Sequence, residues 1–349
     1  MASAFYSLNF PSGLIQEAIS VESHFADPTL RALKESAPAL LLASKSPNTM
    51  KSYSRGIRKW KTWSSKFSEI PFFPVSATAL TLFITSMVQS GERISEITQS
   101  FYGISFLHDV TGKKNPCKNK FAKTALVSAR KILSKSIKKK EVITPEHLRQ
   151  LCKSFSKTPD NLMNYRTIAI CCVAFAGFLR FNEVANLKRS DISFHETYMK
   201  IFIAKSKTDI YREGAHVLIA KTGSTSCPYR VLKKYLELAN IPENSNDYVF
   251  RAISLVKKQD RYKLRMNNKP ISYSRAREIV LDAFSKIGLN KKDFGLHSLR
   301  AGGATAAANA GINDRLFKRH GRWKSENAKD GYIKDKLSSL LSVSLSLGL

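Results

Sequence analysis

Seven side chains in the second half of the chain are of the types used for proton transfer, nucleophilic attack and anion binding: Arg180, Glu183, Lys207, His297, Arg300, Trp323 and Tyr332. An arginine is a permanently charged fork for anionic oxygens, a histidine moves protons near neutral pH, and a tyrosine phenol attacks only where positive charge helps to ionise it. Arg180 and Glu183 stand three residues apart in the apolar run FAGFLRFNEVANL, which reads as one helix. A charge there needs a partner or a ligand, and the pair taken alone is equally a structural salt bridge. His297 and Arg300 lie one turn apart in FGLHSLRAGGATAAANAG, at the start of a helix of small residues that invites close packing. Trp323 and Tyr332 are nine residues apart in HGRWKSENAKDGYI, across a short helix capped by Ser325, where Tyr332 alone is equally a packing aromatic.

Composition narrows the partner. Lys and Arg number 57 against 27 Asp and Glu, a net charge of +30 that is far beyond what solubility needs. A polyanion is the natural partner, with membranes or acidic proteins as the other choices. Five cysteines (Cys117, Cys152, Cys171, Cys172 and Cys227) form no CxxC pair and the histidines no zinc spacing, so free thiols and no metal are expected. RAGGATAAANAG lacks both GxGxxG and GK[ST] spacing and reads as a packing surface rather than a phosphate loop. Carboxylates are too scattered for metal-dependent transposition. No run approaches the ~20 apolar residues of a membrane span.

Taken in order, the seven residues resemble the catalytic domain of the tyrosine recombinases, the phage integrase family. In that family an arginine followed three residues on by an acid, a hairpin lysine, His-x-x-Arg, a His or Trp, and a tyrosine nine residues later succeed one another, and all six elements are present here. Trp323 in place of histidine is similar to the Cre-like and crypton-like branches. The likeness is strong over Thr144–Ile333; over Ser46–Lys140 it is one of length, helix count and basic character. The resemblance implies that Tyr332 cleaves a DNA strand as a 3′-phosphotyrosyl ester, with Arg180 and Arg300 clamping the phosphate oxygens. Trp323 would add an indole N–H, and His297 would donate to the phosphate or accept the phenol proton. Lys207 would protonate the leaving 5′ oxygen, with Lys205 as the competing residue, and Glu183 would orient Arg180 or His297. The ester conserves the energy of the broken bond, so no cofactor, ATP or metal is expected. A type IB topoisomerase uses a closely similar residue set, but the HxxR and GRW context favours a recombinase; a catalytically silent recombinase-derived DNA-binding protein is the alternative.

The elements that must position these residues follow from periodicity and punctuation. The expected fold is mainly α: a helical SAM-like core-binding domain and an α+β catalytic domain with a small antiparallel sheet. Residues 1–45, where three cations face four anions, read as a flexible arm with room for a docking helix. Residues 46–140 read as a DNA-binding domain of four or five helices. Its first helix interleaves Met50, Tyr53, Ile57 and Trp60 with Lys51, Arg55, Arg58 and Lys59, so that one face packs and the other meets phosphates or, taken by itself, is equally a solvated basic face. The run Lys138, Lys139 and Lys140 reads as a basic linker crossing the DNA backbone or, equally, as a solvated connector. Thr144 and Pro145 then open the catalytic domain, residues 144–349, with strands at Tyr198–Ala204 and His216–Ala220 flanking the Lys207 turn and helices elsewhere. The apolar tail after Tyr332 can dock on a neighbouring protomer or in cis. The expected partner is double-stranded DNA, bound by a homotetramer on synapsed DNA and by a monomer or dimer otherwise. The expected location is the nucleus in a eukaryote and otherwise the cytoplasm, with the DNA.

Overall fold

A computed structural model describes residues 10–22, 25–136, 138–158, 160–207, 209, 211–256 and 261–348. The chain forms two compact units, Met1–Ile137 and Lys138–Leu349.

The first unit is all helical: α1 (Ser12–Glu22), α2 (Pro28–Ala43), α3 (Pro47–Ser64), α4 (Ala77–Gln89), α5 (Ile94–Val110) and α6 (Lys120–Ile132). Most starts are set by side-chain caps: Ser46, Ser76 and Asn119 each accept a backbone N–H of the first turn, and Pro47 occupies a first helical position where its missing N–H costs nothing. Trp60 on α3 is buried against Phe83 and gives its indole N–H to the Phe72 carbonyl at 2.8 Å. Gly56 and Gly103 let α3 and α5 touch, since a Cβ on Gly56 would lie 2.5 Å from the Ser100 backbone. The segment expected as a flexible arm instead contributes α1 and α2, and Phe10, Ile15 and Leu42 join Met50, Ile57 and Leu107 in a shared apolar cluster. On α1 Ile15 is buried and on α2 Leu42, whereas Leu40 and Leu41 remain exposed.

The second unit surrounds α8 (Leu162–Ala176), a buried helix packed by α7 (Pro145–Phe155), α10 (Pro228–Leu238) and α12 (His297–Asn309). The short α9 (Phe181–Ala185) follows α8, and then a three-stranded antiparallel sheet of β1 (Ile192–Phe194), β2 (Tyr198–Ile203) and β3 (Ala215–Ala220). Met199, Ile201 and Ile203 alternate inward on β2 opposite Ile219, Val217 and Ala215, so the register buries one apolar face. A second hairpin, β4 (Ile253–Val256) and β5 (Arg261–Leu264), was not anticipated, because its alternation is diluted by charge. α11 (Tyr273–Lys286) precedes α12, and α13 (Asp314–Gly321), α14 (Glu326–Asp330) and α15 (Leu337–Leu345) end the chain. No helix among the described residues is long and apolar enough to cross a membrane.

Candidate active site

The apolar run holding Arg180 is not one helix. α8 stops at Gly177, Phe178 takes a left-handed backbone conformation (φ 46°), and Arg180 becomes the residue that starts α9. Glu183 closes that start by accepting the Arg180 backbone N–H at 2.9 Å through Oε2 and the Arg180 guanidinium at 2.9 Å through Oε1. The spacing of three therefore serves a helix N-terminus as well as an ion pair.

The tight packing of α12 puts His297 and Arg300 beside that turn. A Cβ on Gly302 would sit 1.9 Å from the Ile143 carbonyl oxygen, and one on Gly303 2.1 Å from that of Phe175, so only glycine permits this approach. Arg300 is fully buried, donating from Nη1 to the Phe178 carbonyl and from Nη2 to the Gly321 carbonyl at 2.8 Å. Its guanidinium lies 4.9 Å from the Tyr332 ring centre and 5.0 Å from that of Trp323. Burial, and then the charge of Arg180, hold it down to about 10, which leaves it protonated at neutral pH.

Tyr332 is half-buried and stands 5.7 Å from Trp323 and 6.3 Å from His297, centre to centre. Thr305 on α12 fastens its segment, donating to the Tyr332 carbonyl at 3.3 Å and accepting the Lys334 N–H at 3.1 Å. α14 is tied to α13 by Lys329, which meets Asp314 at 2.5 Å and Glu326 at 2.6 Å. Trp323 is buried among Phe178, Phe317 and Tyr332, and its indole N–H is without a hydrogen-bond partner. Lost hydration, then the charges of Arg300, Arg180 and Lys207, hold the His297 imidazole below the ordinary histidine range. Lys207 sits exposed in the turn between β2 and β3, and its charge reaches His297; Lys205, two residues earlier, is exposed on the same segment.

The structure thus gathers Arg180, Glu183, His297, Arg300, Trp323 and Tyr332 from four separate segments, with Lys207 at the edge. The model of the phage integrase family matches residues 141–337. The chain belongs to the phage integrase family. It is a tyrosine recombinase, in the class of enzymes that cut and rejoin DNA at specific sites. Among its relatives in the family, an integrase/recombinase xerD homolog of Selenomonas ruminantium is 26% identical over 83% of this chain and 82% of its own length. The recombinase cre of Escherichia phage P1 is 21% identical over 80% and 81%. The fold is similar to that of the XerH site-specific recombinase in a post-cleavage complex with palindromic difH, with a TM-score of 0.62, 16% identity and coverage of 97% of this chain and 94% of that one.

Three residues of this phage integrase site escaped the sequence reading. Arg322, between Gly321 and Trp323, adopts the left-handed conformation (φ 55°) and turns its guanidinium inward. It donates to Glu183 Oε2 at 2.9 Å and to the carbonyls of Phe178, Gly177 and His320 at 3.1, 3.2 and 3.0 Å. Phe178 supplies the carbonyl that Arg300 and Arg322 share, and Thr305 holds the tyrosine segment. Only the cationic flank of Trp323 hinted at any of these, because a left-handed conformation at a non-glycine residue has no sequence signature.

The expected phosphate-contacting residues divide. Lys51, Arg55 and Arg58 are exposed along one side of α3. Lys59, expected beside them, is turned into ion pairs with Glu92 at 2.7 Å and Glu96 at 2.5 Å, since one residue's rotation on the helix takes it to the α5 side. Lys138 pairs with Asp293 at 3.2 Å and Lys140 donates to the Lys292 carbonyl, so this part of the expected linker lies along the second unit; Lys139 is exposed. Among the described residues no group of three or more His, Cys, Asp or Glu is arranged to hold a metal ion.

Proposed function

We propose that the chain binds double-stranded DNA and that Tyr332 is its nucleophile, acting within its own protomer's site. The phenol oxygen attacks the phosphorus, the P–O5′ bond breaks, and a 3′-phosphotyrosyl ester forms. His297 takes the phenol proton, Lys207 supplies the proton to the 5′ oxygen, and Arg180 with Arg300 and the Trp323 indole N–H stabilise the charge that grows on the non-bridging oxygens. The single observation that carries this reading is the seat of the Tyr332 ring on the Arg300 guanidinium, beside His297 and the unpartnered indole N–H of the same chain. A phosphate reaches the buried Arg300 only when that ring leaves its face. The influence of Lys207 on His297 supports it over Lys205 as the leaving-group acid.

Exchange between two duplexes requires four strand cleavages, and a tyrosine that works in its own site then requires four protomers. The exposed apolar side chains of α15, among them Leu337, Leu340 and Val343, support docking of the tail on a neighbour. In a eukaryotic host the protein would act in the nucleus, and elsewhere in the cytoplasm.

The test is a nicked suicide duplex carrying the bound site. Wild-type protein is expected to form a covalent adduct stable in denaturant, and Tyr332→Phe to bind the same duplex and form none. An adduct that persists in Tyr332→Phe removes the assignment. A wild-type protein that binds and never forms an adduct is a DNA-binding derivative instead.

A further inference from the structure

Glu183 is crowded by three arginines, and the way its two oxygens are shared among them is informative. Oε1 accepts from the Arg180 guanidinium at 2.9 Å. Oε2 accepts two bonds, from the Arg180 backbone N–H and from Arg322, both at 2.9 Å. A carboxylate oxygen has two in-plane lone pairs, so these bonds fill Oε2. Arg300 Nη1 is held just outside hydrogen-bonding range, 3.9 Å from that oxygen, and is anchored to the Phe178 carbonyl. That carbonyl also accepts from Arg322 at 3.1 Å.

We infer that Arg322 is a positioning residue of the cleavage reaction: it occupies Glu183 and the Phe178 carbonyl so that Arg300 stays aimed at the scissile phosphate instead of pairing with Glu183. The inference rests on the assignment of Arg300 to the phosphate made above. Without Arg322, Oε2 has a vacant lone pair 3.9 Å from a guanidinium that is itself fully buried, a short shift away from hydrogen-bond distance. A buried carboxylate and a buried guanidinium at that range close on each other, because neither has water to solvate it. The backbone points the same way. At φ 55° a glycine sits with less strain than an arginine, and here the strained position carries a side chain that is only 8% exposed and makes four hydrogen bonds.

This gives an unusual variant for the test, because Arg322→Gly relieves the backbone while removing the guanidinium. The full chain is assayed as wild type, Arg322→Gly, and Arg322→Gly with Glu183→Gln, using the suicide duplex under single-turnover conditions, with duplex affinity and thermal melting measured alongside. Arg322→Gly is expected to keep its affinity within about threefold and to lose on the order of 10–100-fold in adduct-formation rate, the usual effect of a small misplacement of a reacting group. Glu183→Gln in the same chain is expected to restore about tenfold of that loss, since a neutral amide no longer captures Arg300. A generally weakened fold would not be repaired by a second change in the same cluster. Arg322→Gly cleaving within about threefold of wild type overturns the inference, as does a double variant no faster than Arg322→Gly alone. A wild-type protein that forms no adduct overturns the site assignment and this inference with it, whereas adduct formation by wild type and Arg322→Gly at equal rates overturns this inference alone.

Discussion

His297 shows how the residue types in this site gain their properties from one another. Its ring is partly desolvated and faces Arg300, Arg180 and Lys207, so it is neutral at neutral pH and available to accept a proton. Replacing Lys207 with Ala removes one of the cations that oppose the imidazolium, so the His297 titration should move upward, toward the ordinary ~6.5; an NMR titration that stays in place would separate Lys207 from the site. Stability should follow the same chemistry. His108, His147 and His320 are also held low, each chiefly by burial, so the unfolded chain binds protons first as the pH falls. Above the ordinary histidine pKa these groups contribute no pH dependence, and below it folding stability drops. Thermal melting followed from pH 7.5 down to 5.5 should therefore show a falling Tm, and a flat profile would contradict the lowered values. Residue types and order made most of this site legible. The partners of Glu183 were not, because Arg322 lies 139 positions away in the chain and reaches Glu183 only through a left-handed turn.

At the scale of elements, the close approach of α12 to α8 and to the Ile143 segment before α7 is what brings the two arginines together. It depends on Gly302 and Gly303, whose missing side chains face backbone carbonyls that cannot give way as a flexible side chain can. Gly302→Ala and Gly303→Ala are each expected to cost about 2–3 kcal/mol in chemical denaturation, the range of an overpacked core, and to slow adduct formation as well. A cost below about 0.5 kcal/mol would mean that α12 can shift without consequence. The small-residue run told of close packing; what it packs against was decided elsewhere in the chain. The apolar segment around Arg180 misled for the opposite reason. A helix-period pattern continued through Gly177 and Phe178, and the break came from a backbone conformation that periodicity does not encode. At the other end, α15 carries its leucines into solvent, and deletion after Ser338 is expected to leave melting unchanged while weakening assembly of protomers on DNA, as read by sedimentation of the complex.

For the whole molecule, the +30 charge makes salt the governing variable in DNA binding. Lys51, Arg55 and Arg58 stand exposed in a row on α3, so replacing all three with Ala should lower the slope of log affinity against log salt by roughly 2–3. Lys59→Ala should barely alter that slope and should instead lower stability, because its ammonium joins α3 to Glu92 and Glu96. Equal slopes for the triple variant and wild type would move the phosphate contacts to another surface. The contrast between Lys51 and Lys59 also marks what each level of description determines. The sequence by itself determined the charge and hence the class of partner, the caps and periodicities that start most helices, and the ordered set of residues that identifies the chemistry, since all of these are properties of residue type and local spacing. Only the tertiary structure decided which lysines remain free for phosphate, where the Arg180 helix breaks, and that Tyr332 rests on a buried Arg300 whose distance from Glu183 is kept by Arg322. Those outcomes are competitions among groups far apart in the chain for the same few oxygens and the same buried space, and they are settled only when folding brings the competitors together.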